Sequence, residues 1–134
     1  MSLRSRTGRV EADFMASLAA LTGQKLGRDD APDSFDVLSA LLGESPSGRD
    51  HLVEHANVLS LIRGHWKYIE PGKGQRINKN TNTELGVDPQ PQLYDLQTDL
   101  GEKHNIAAEH PDVVKEMAAL LQKIREDGRT RPAE

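Results

Sequence analysis

The chain has 134 residues, 21 acidic and 17 basic side chains, a formal charge of −4 and no cysteine. That length suits one domain and falls short of two ordinary ones, and the acidic balance gives no electrostatic footprint for nucleic acid or an anionic membrane. The missing thiols exclude disulfides, CxxC redox chemistry, thiolate zinc sites and a cysteine nucleophile within these residues.

Residues 1–8 (MSLRSRTG) have no apolar stretch behind their charges and read as a tag or linker, so the chain is expected to be soluble and without an export signal. Residues 9–43 form a helical lead-in. The first helix is expected over Arg9–Thr22, because Val10, Phe14, Leu18 and Leu21 recur on one helical face, with Gly23 as its stop. Its alanines at 12, 16, 19 and 20 leave room for close packing. A polar loop ends in Asp29-Asp30-Ala31-Pro32-Asp33. Asp33 or Ser34 then caps a short second helix with Phe35, Leu38, Leu41 and Leu42 on its apolar side and Gly43 after it.

Residues 51–128 read as a sheet plus a terminal helix. Strands are expected over His51–Ala56, Val58–Arg63 and Trp66–Glu70, with Gly64-His65 suited to a type II′ turn. Residues 71–92 hold almost no large apolar side chain and predict a long surface excursion. Leu93–Leu96 returns as a strand against the hairpin, and residues 98–104 make a polar turn. Pro111, Asp112, Lys123, Arg125 and Gly128 bracket the clearest helix, whose buried face is Val113, Met117, Leu120, Leu121 and Ile124. Residues 129–134 are a loose tail. The fold class is α+β: a small antiparallel sheet of three to four strands packed with a long C-terminal helix, plus an N-terminal helix.

Residues by themselves point to no catalytic, cofactor or metal site. His51 and His55 are four apart, but the local pattern is extended and no third ligand follows. Asp29-Asp30 lacks the oxygen-rich loop of a calcium site, Gly72-Lys73-Gly74 lacks the spacing of a phosphate loop, and no GxSxG or N-x-[ST] sequence occurs. Trp66 and Tyr68 share one side of a strand, where core packing is expected ahead of a sugar-stacking platform.

A longer pattern begins at Gln92-Leu93-Tyr94-Asp95-Leu96, continues through Asp99, Gly101-Glu102-Lys103 and Asn105-Ile106-Ala107, and reaches His110-Pro111 at a helix start. It resembles the C-terminal segment of the sulfatase (arylsulfatase) family, which commonly reads "ELYDL, two residues, DPGE, a short gap, NLA". Leu61-Ile62-Arg63-Gly64-His65-Trp66-Lys67-Tyr68-Ile69 is similar to the family's "air.gdWKli" strands. Val10–Gly23 is similar to its "vDl..Tl..l.G" helix, and Asp33-Ser34 through Leu41-Leu42-Gly43 to the segment that follows. Leu100 replaces the usual proline of the DPGE turn and Ser17 the common threonine.

The resemblance implies the C-terminal subdomain of a sulfuric ester hydrolase, with a structural packing role and no catalysis of its own. In the family, the chemistry belongs to an upstream α/β domain holding a formylglycine, made from a C/S-x-P/A-x-R motif, and a calcium ion. This chain is therefore assigned no cofactor, although the parent would use both. Ser45-Pro46-Ser47-Gly48-Arg49 imitates that motif but has serine at its third place and is expected to be a turn. His55, Asn57 and the 71–92 loop are the expected border of a substrate pocket. The expected partner is the missing N-terminal catalytic domain of the parent, with self-association through exposed interdomain surface on the first helix. The start at MSL suggests a cloning boundary, and the compartment stays open, with an exported or periplasmic parent as the family's implication. Two other readings are a free-standing module for protein or carbohydrate interaction and a phosphatase or phosphodiesterase relative.

Overall fold

A computed structural model describes residues 11–132. The proposed tag or linker (1–8), Arg9, Val10 and the last two tail residues lie outside the described residues. In chain order come a 3-10 turn Glu11–Asp13, helices α1 (Phe14–Leu21) and α2 (Leu38–Leu41), and strands β1 (His51–His55), β2 (Leu59–Arg63) and β3 (Trp66–Ile69). Strands β4 (Ile77–Asn78), β5 (Thr83–Glu84) and β6 (Gln92–Asp95) follow, then helix α3 (Pro111–Asp127). The architecture is α+β: strands β1-β2-β3-β6 form one antiparallel sheet, and β4-β5 a separate ribbon. The chain forms two compact units, one of residues up to Leu52 together with those from Ile124, the other Val53–Lys123.

In the first unit, α1 turns inward a face that hydropathy alone does not select. The periodic residues Phe14, Leu18 and Leu21 are 49%, 54% and 57% exposed, while Asp13, Ala16 and Ser17 are buried. The expected apolar inner face is thus corrected, and the reason is hydrogen bonding. Asp13 Oδ1 accepts from Phe35 N (3.1 Å), Ser17 Oγ from Val37 N (3.0 Å), and Ser34 Oγ from Ala16 N (2.9 Å). These bonds fasten residues 34–37 across the helix, and buried polar groups persist where they are paired in this way.

The same contacts displace the expected cap of α2. Ser34 is bonded to α1, and Asp33 Oδ1 accepts from Thr130 N (2.8 Å) and Oγ1 (2.9 Å). Val37 precedes α2 without a side-chain cap, and Asp36 Oδ1 accepts from Leu38 N at 3.0 Å. Leu42, expected on the inner side, is 58% exposed, whereas Val37 and Ala40 are buried. The described part of the tail is tied rather than loose: Arg131 N donates to Pro32 O (3.0 Å), its Nη2 donates to Asp30 O (2.6 Å), and Arg129 Nη2 donates to Arg28 O.

In the second unit, β2 and β3 meet through Gly64-His65, where Gly64 has φ +62° as a tight hairpin turn requires. Register places Leu61, Tyr68 and Leu93 side by side across β2, β3 and β6, with Arg63, Trp66 and Asp95 in the next row of the same face. Leu61 and Leu93 are 0% exposed and Tyr68 is 4%. Helix α3 meets this face: Arg63 Nη1 lies 2.8 Å from Glu116 Oε1, and the rings of Trp66 and His110 are 5.2 Å apart. Met117 and Leu121 are its buried anchors, while Val113, Leu120 and Ile124 are partly covered. Pro111 opens α3, with Val114 N bonded to His110 O.

The 71–92 excursion contains more structure than its composition indicates. The β4–β5 ribbon sits within it, and Val87, which follows, is only 6% exposed.

Candidate functional site

The two segments expected at a substrate pocket come together. His55 ends β1 and is exposed, and Asn57 lies exposed in the connection to β2. Asn57 Nδ2 donates to Leu85 O at 3.5 Å, a long bond that links this connection to the chain leaving β5. The base of the excursion is pinned by Gly72 N donating to Asp88 O (2.8 Å). Gly72 also sits so close to Val58 that a Cβ there would lie 2.3 Å from Val58 Cγ1, which explains glycine at this position.

Within the excursion, Arg76 Nε pairs with Glu84 Oε1 across the ribbon at 3.2 Å, and Leu85 N donates to Arg76 O at 2.8 Å. The reversal is shaped by Asn80 N donating to Asn78 Oδ1 (2.9 Å) and by the left-handed Asn82 (φ +52°). Lys73, ahead of β4, and Lys79, within the reversal, are exposed. The result is an ordered, polar ribbon standing beside Asn57.

The other motif residues have identifiable structural work. Asn105 Oδ1 accepts from Leu93 N and Ala107 N, each at 3.0 Å, and Nδ2 donates to Pro91 O at 3.2 Å, so one side chain holds both flanks of β6. Gln92 is buried, donating through Nε2 to Gly86 O (2.9 Å) and accepting the Tyr94 hydroxyl at Oε1 (2.8 Å). Burial, with smaller help from Glu102, raises the Tyr94 phenol above its ordinary value. Lys67 Nζ is 2.9 Å from Glu102 Oε1 and 3.6 Å from Glu54 Oε2.

Asp99 Oδ2 accepts the backbone N–H groups of Lys103 and His104, each at 2.8 Å, and keeps its capping role although leucine follows it. The His104 amide bond, seconded by that of Lys103, holds the carboxyl below its usual range; at Asp95 the bond from Gln97 N does the same. A depressed native value stabilises the turn above the unfolded-state pKa and is lost as pH falls through the native one. In an NMR titration, Asp99 should therefore have its midpoint below the roughly 3.9 of an unperturbed aspartate. A midpoint at or above that value would show that these amide bonds are not formed.

The apparent sulfatase motif is a turn. Ser47 N donates to Ser45 Oγ at 3.1 Å, and Arg49 is committed to Asp13 at 3.3 Å. His51 is buried against Phe35, with ring centroids 5.5 Å apart, while His55 is exposed, so the two imidazoles do not form a pair. Asp30 Oδ2 accepts from Gly27 N at 2.8 Å, as a loop staple. Among the described residues no cluster of three or more His, Cys, Asp or Glu side chains could hold a metal, so the calcium implied for the parent does not fit a site here. Tyr68 is core, and Trp66 is flanked by His65 and His110 at 4.5 and 5.2 Å. The ribbon itself was missed by sequence reasoning; its only local signal was the Asn-rich stretch 78–82 between short segments able to pair.

The chain is 45% identical over 117 residues to N-acetylgalactosamine-6-O-sulfatase of Bacteroides thetaiotaomicron, covering 86% of this chain and 23% of that protein. A solved structure concerned with the metabolism of multiple glycosaminoglycans by Bacteroides thetaiotaomicron matches with a TM-score of 0.81 and 46% identity, over 85% of this chain and 24% of the other. A 2-O GAG sulfatase shares the fold at a TM-score of 0.55 and 20% identity, over 91% of this chain and 27% of its own. No family model matches. The chain thus spans about a quarter of the length of these relatives.

Proposed function

Because this chain belongs to the sulfatase family, we propose that it serves as the C-terminal subdomain of a sulfuric ester hydrolase, bracing a catalytic domain and bordering its substrate pocket. The observation that carries the reading is the 45% identity to a carbohydrate sulfatase across 86% of the chain. The outward face of α1 supports the bracing role. Phe14, Met15, Leu18 and Leu21 are each about half exposed or more, and their full burial would contribute about 1 kcal/mol apiece. A larger domain, corresponding to the other three quarters of the relatives' length, is the occupant that suits this face.

The substrate class that fits is a sulfated amino sugar of the kind named by the relative, a narrower reading than an aryl sulfate. The nucleophile and calcium belong to the catalytic domain, and the residues of this chain contribute support and the pocket edge at His55, Asn57 and the β4–β5 ribbon. The purified 134-residue chain is accordingly expected to release no sulfate from an aryl sulfate or from N-acetylgalactosamine 6-sulfate, with calcium present. A full-length protein containing this segment should do so. Metal-dependent turnover by the chain alone would overturn the reading.

A further inference from the structure

We infer that the cleft between α1, residues 24–28 and residues 129–132 binds a carboxylate carried on a small apolar body, with Lys25, Arg28, Arg129 and Arg131 as its cations. The cleft has a volume of about 590 Å3, and every residue lining it belongs to the first unit. Small-molecule sites typically span about 300–1,000 Å3. At about 100° per helical residue, the lining alanines Ala16, Ala19 and Ala20 stand on the side of α1 opposite Phe14 and Leu18. A domain seated on the outward face of α1 therefore need not cover the cleft, and the ligand is distinct from the bracing partner.

Charge around the cleft is unevenly matched. Lys25 and Arg28 are exposed and have no ion-pair partner among the described residues. Arg131 directs Nη2 to the carbonyls of Gly27 and Asp30, both neutral, and its buried Nε has no partner. The Arg129 side chain is only 10% exposed, donates to Arg28 O, and pairs at 3.8 Å with Asp29, itself 95% exposed. A pair so long and so wet on one side offsets little of the buried charge. Asp36 is the one carboxylate in the lining and holds Leu38 N; Asp30 holds Gly27 N and Asp33 holds Thr130.

These four acids keep their charge, and that decides which anion fits. A long polyanion leaving the cleft runs past Asp29, Asp30, Asp33 and Asp36, whereas a single carboxylate seated among the cations does not. The planar guanidinium forks suit a planar carboxylate, and the two from the tail are already held by loop carbonyls, which lowers the cost of ordering them. The alanine methyls and the Phe35 ring give an apolar body its contact and offer a sugar hydroxyl no partner. A free acid and the chain end of a peptide present the same group.

The test is an NMR titration of the 134-residue chain, read at the methyls of Ala16, Ala19 and Ala20. The probes are 3-phenylpropionate, its amide, a tetrapeptide ending in phenylalanine with a free or an amidated terminus, and inorganic sulfate. At least one carboxylate is expected to shift those methyls saturably: the acid alone identifies a free small molecule, the peptide alone a chain end, and both together recognition of the group itself. The Lys25→Gln/Arg28→Gln double variant should bind about tenfold more weakly with an unchanged thermal midpoint, because neither side chain has a partner to lose. A control pair on α3, Lys115→Gln/Lys123→Gln, should leave affinity unaltered. No saturable shift, equal binding of the amides or of sulfate, full affinity in the double variant, or equal loss in the control pair would overturn the inference. The sulfatase reading rests on sequence identity and stands or falls separately.

Discussion

Replacing Asp13 by alanine is expected to lower unfolding free energy by about 3–5 kcal/mol, because it strands a buried cation. Asp13 is 1% and Arg49 4% exposed, and the two charges meet at 3.3 Å. Desolvation lowers the Arg49 pKa while Asp13 pulls it back up, and a guanidinium stays charged in either case. Without Asp13, Arg49 keeps the His51 carbonyl (2.6 Å from Nε), the Phe35 ring 4.7 Å away and the weaker attraction of Asp33. The Phe35 N–H loses its acceptor as well. Urea denaturation of Asp13→Ala, Arg49→Met and the double variant separates the contributions, since the double should lose less than the sum of the singles. A loss below about 1 kcal/mol in Asp13→Ala would mean that water reaches the guanidinium and that the pair is not a closed one.

A comparable loss, about 2–5 kcal/mol, is expected for Leu93→Ala in the second unit. Leu93 is 0% exposed and stands beside Tyr68 on β3, which in turn stands beside Leu61 on β2. Truncation removes the outer member of this row and opens a void that backbone movement closes poorly. The Leu93 N–H is held by Asn105 and its carbonyl receives Ile106 N at 2.9 Å, so the strand is fixed on both sides. Denaturant midpoints would fall with an unchanged m-value if the void stays open. A change in m, or a loss well under 2 kcal/mol, would indicate that the row repacks.

What could be read in advance depended on how local the physics was. The β2–β3 hairpin and α3 were legible because Gly64, Pro111 and Gly128 punctuate segments whose apolar period agrees with their burial. Helix α1 was located but turned the wrong way. Its apolar residues are periodic, yet hydrogen bonds from residues 34–37 select the face bearing Asp13 and Ser17, and those partners are about 20 residues distant in sequence. The β4–β5 ribbon was illegible for a different reason: strands of two residues, with Ile77 as their one apolar side chain, have no hydropathy period. At the candidate site, His55, Asn57 and the long loop were named from the family resemblance. Their proximity, through Asn57 and Leu85, is visible only in three dimensions.

The inverted facing of α1 reverses ordinary practice for anyone engineering a stand-alone form of this chain. Surface redesign usually keeps the oily residues of a helix and exchanges the polar ones, whereas here the exchangeable set is Phe14, Met15, Leu18 and Leu21. Glutamate, lysine or glutamine at those places would keep helix propensity and remove the sticky surface. Asp13 and Ser17, which a hydropathy-guided design would treat as free, are the two positions of the helix to leave untouched.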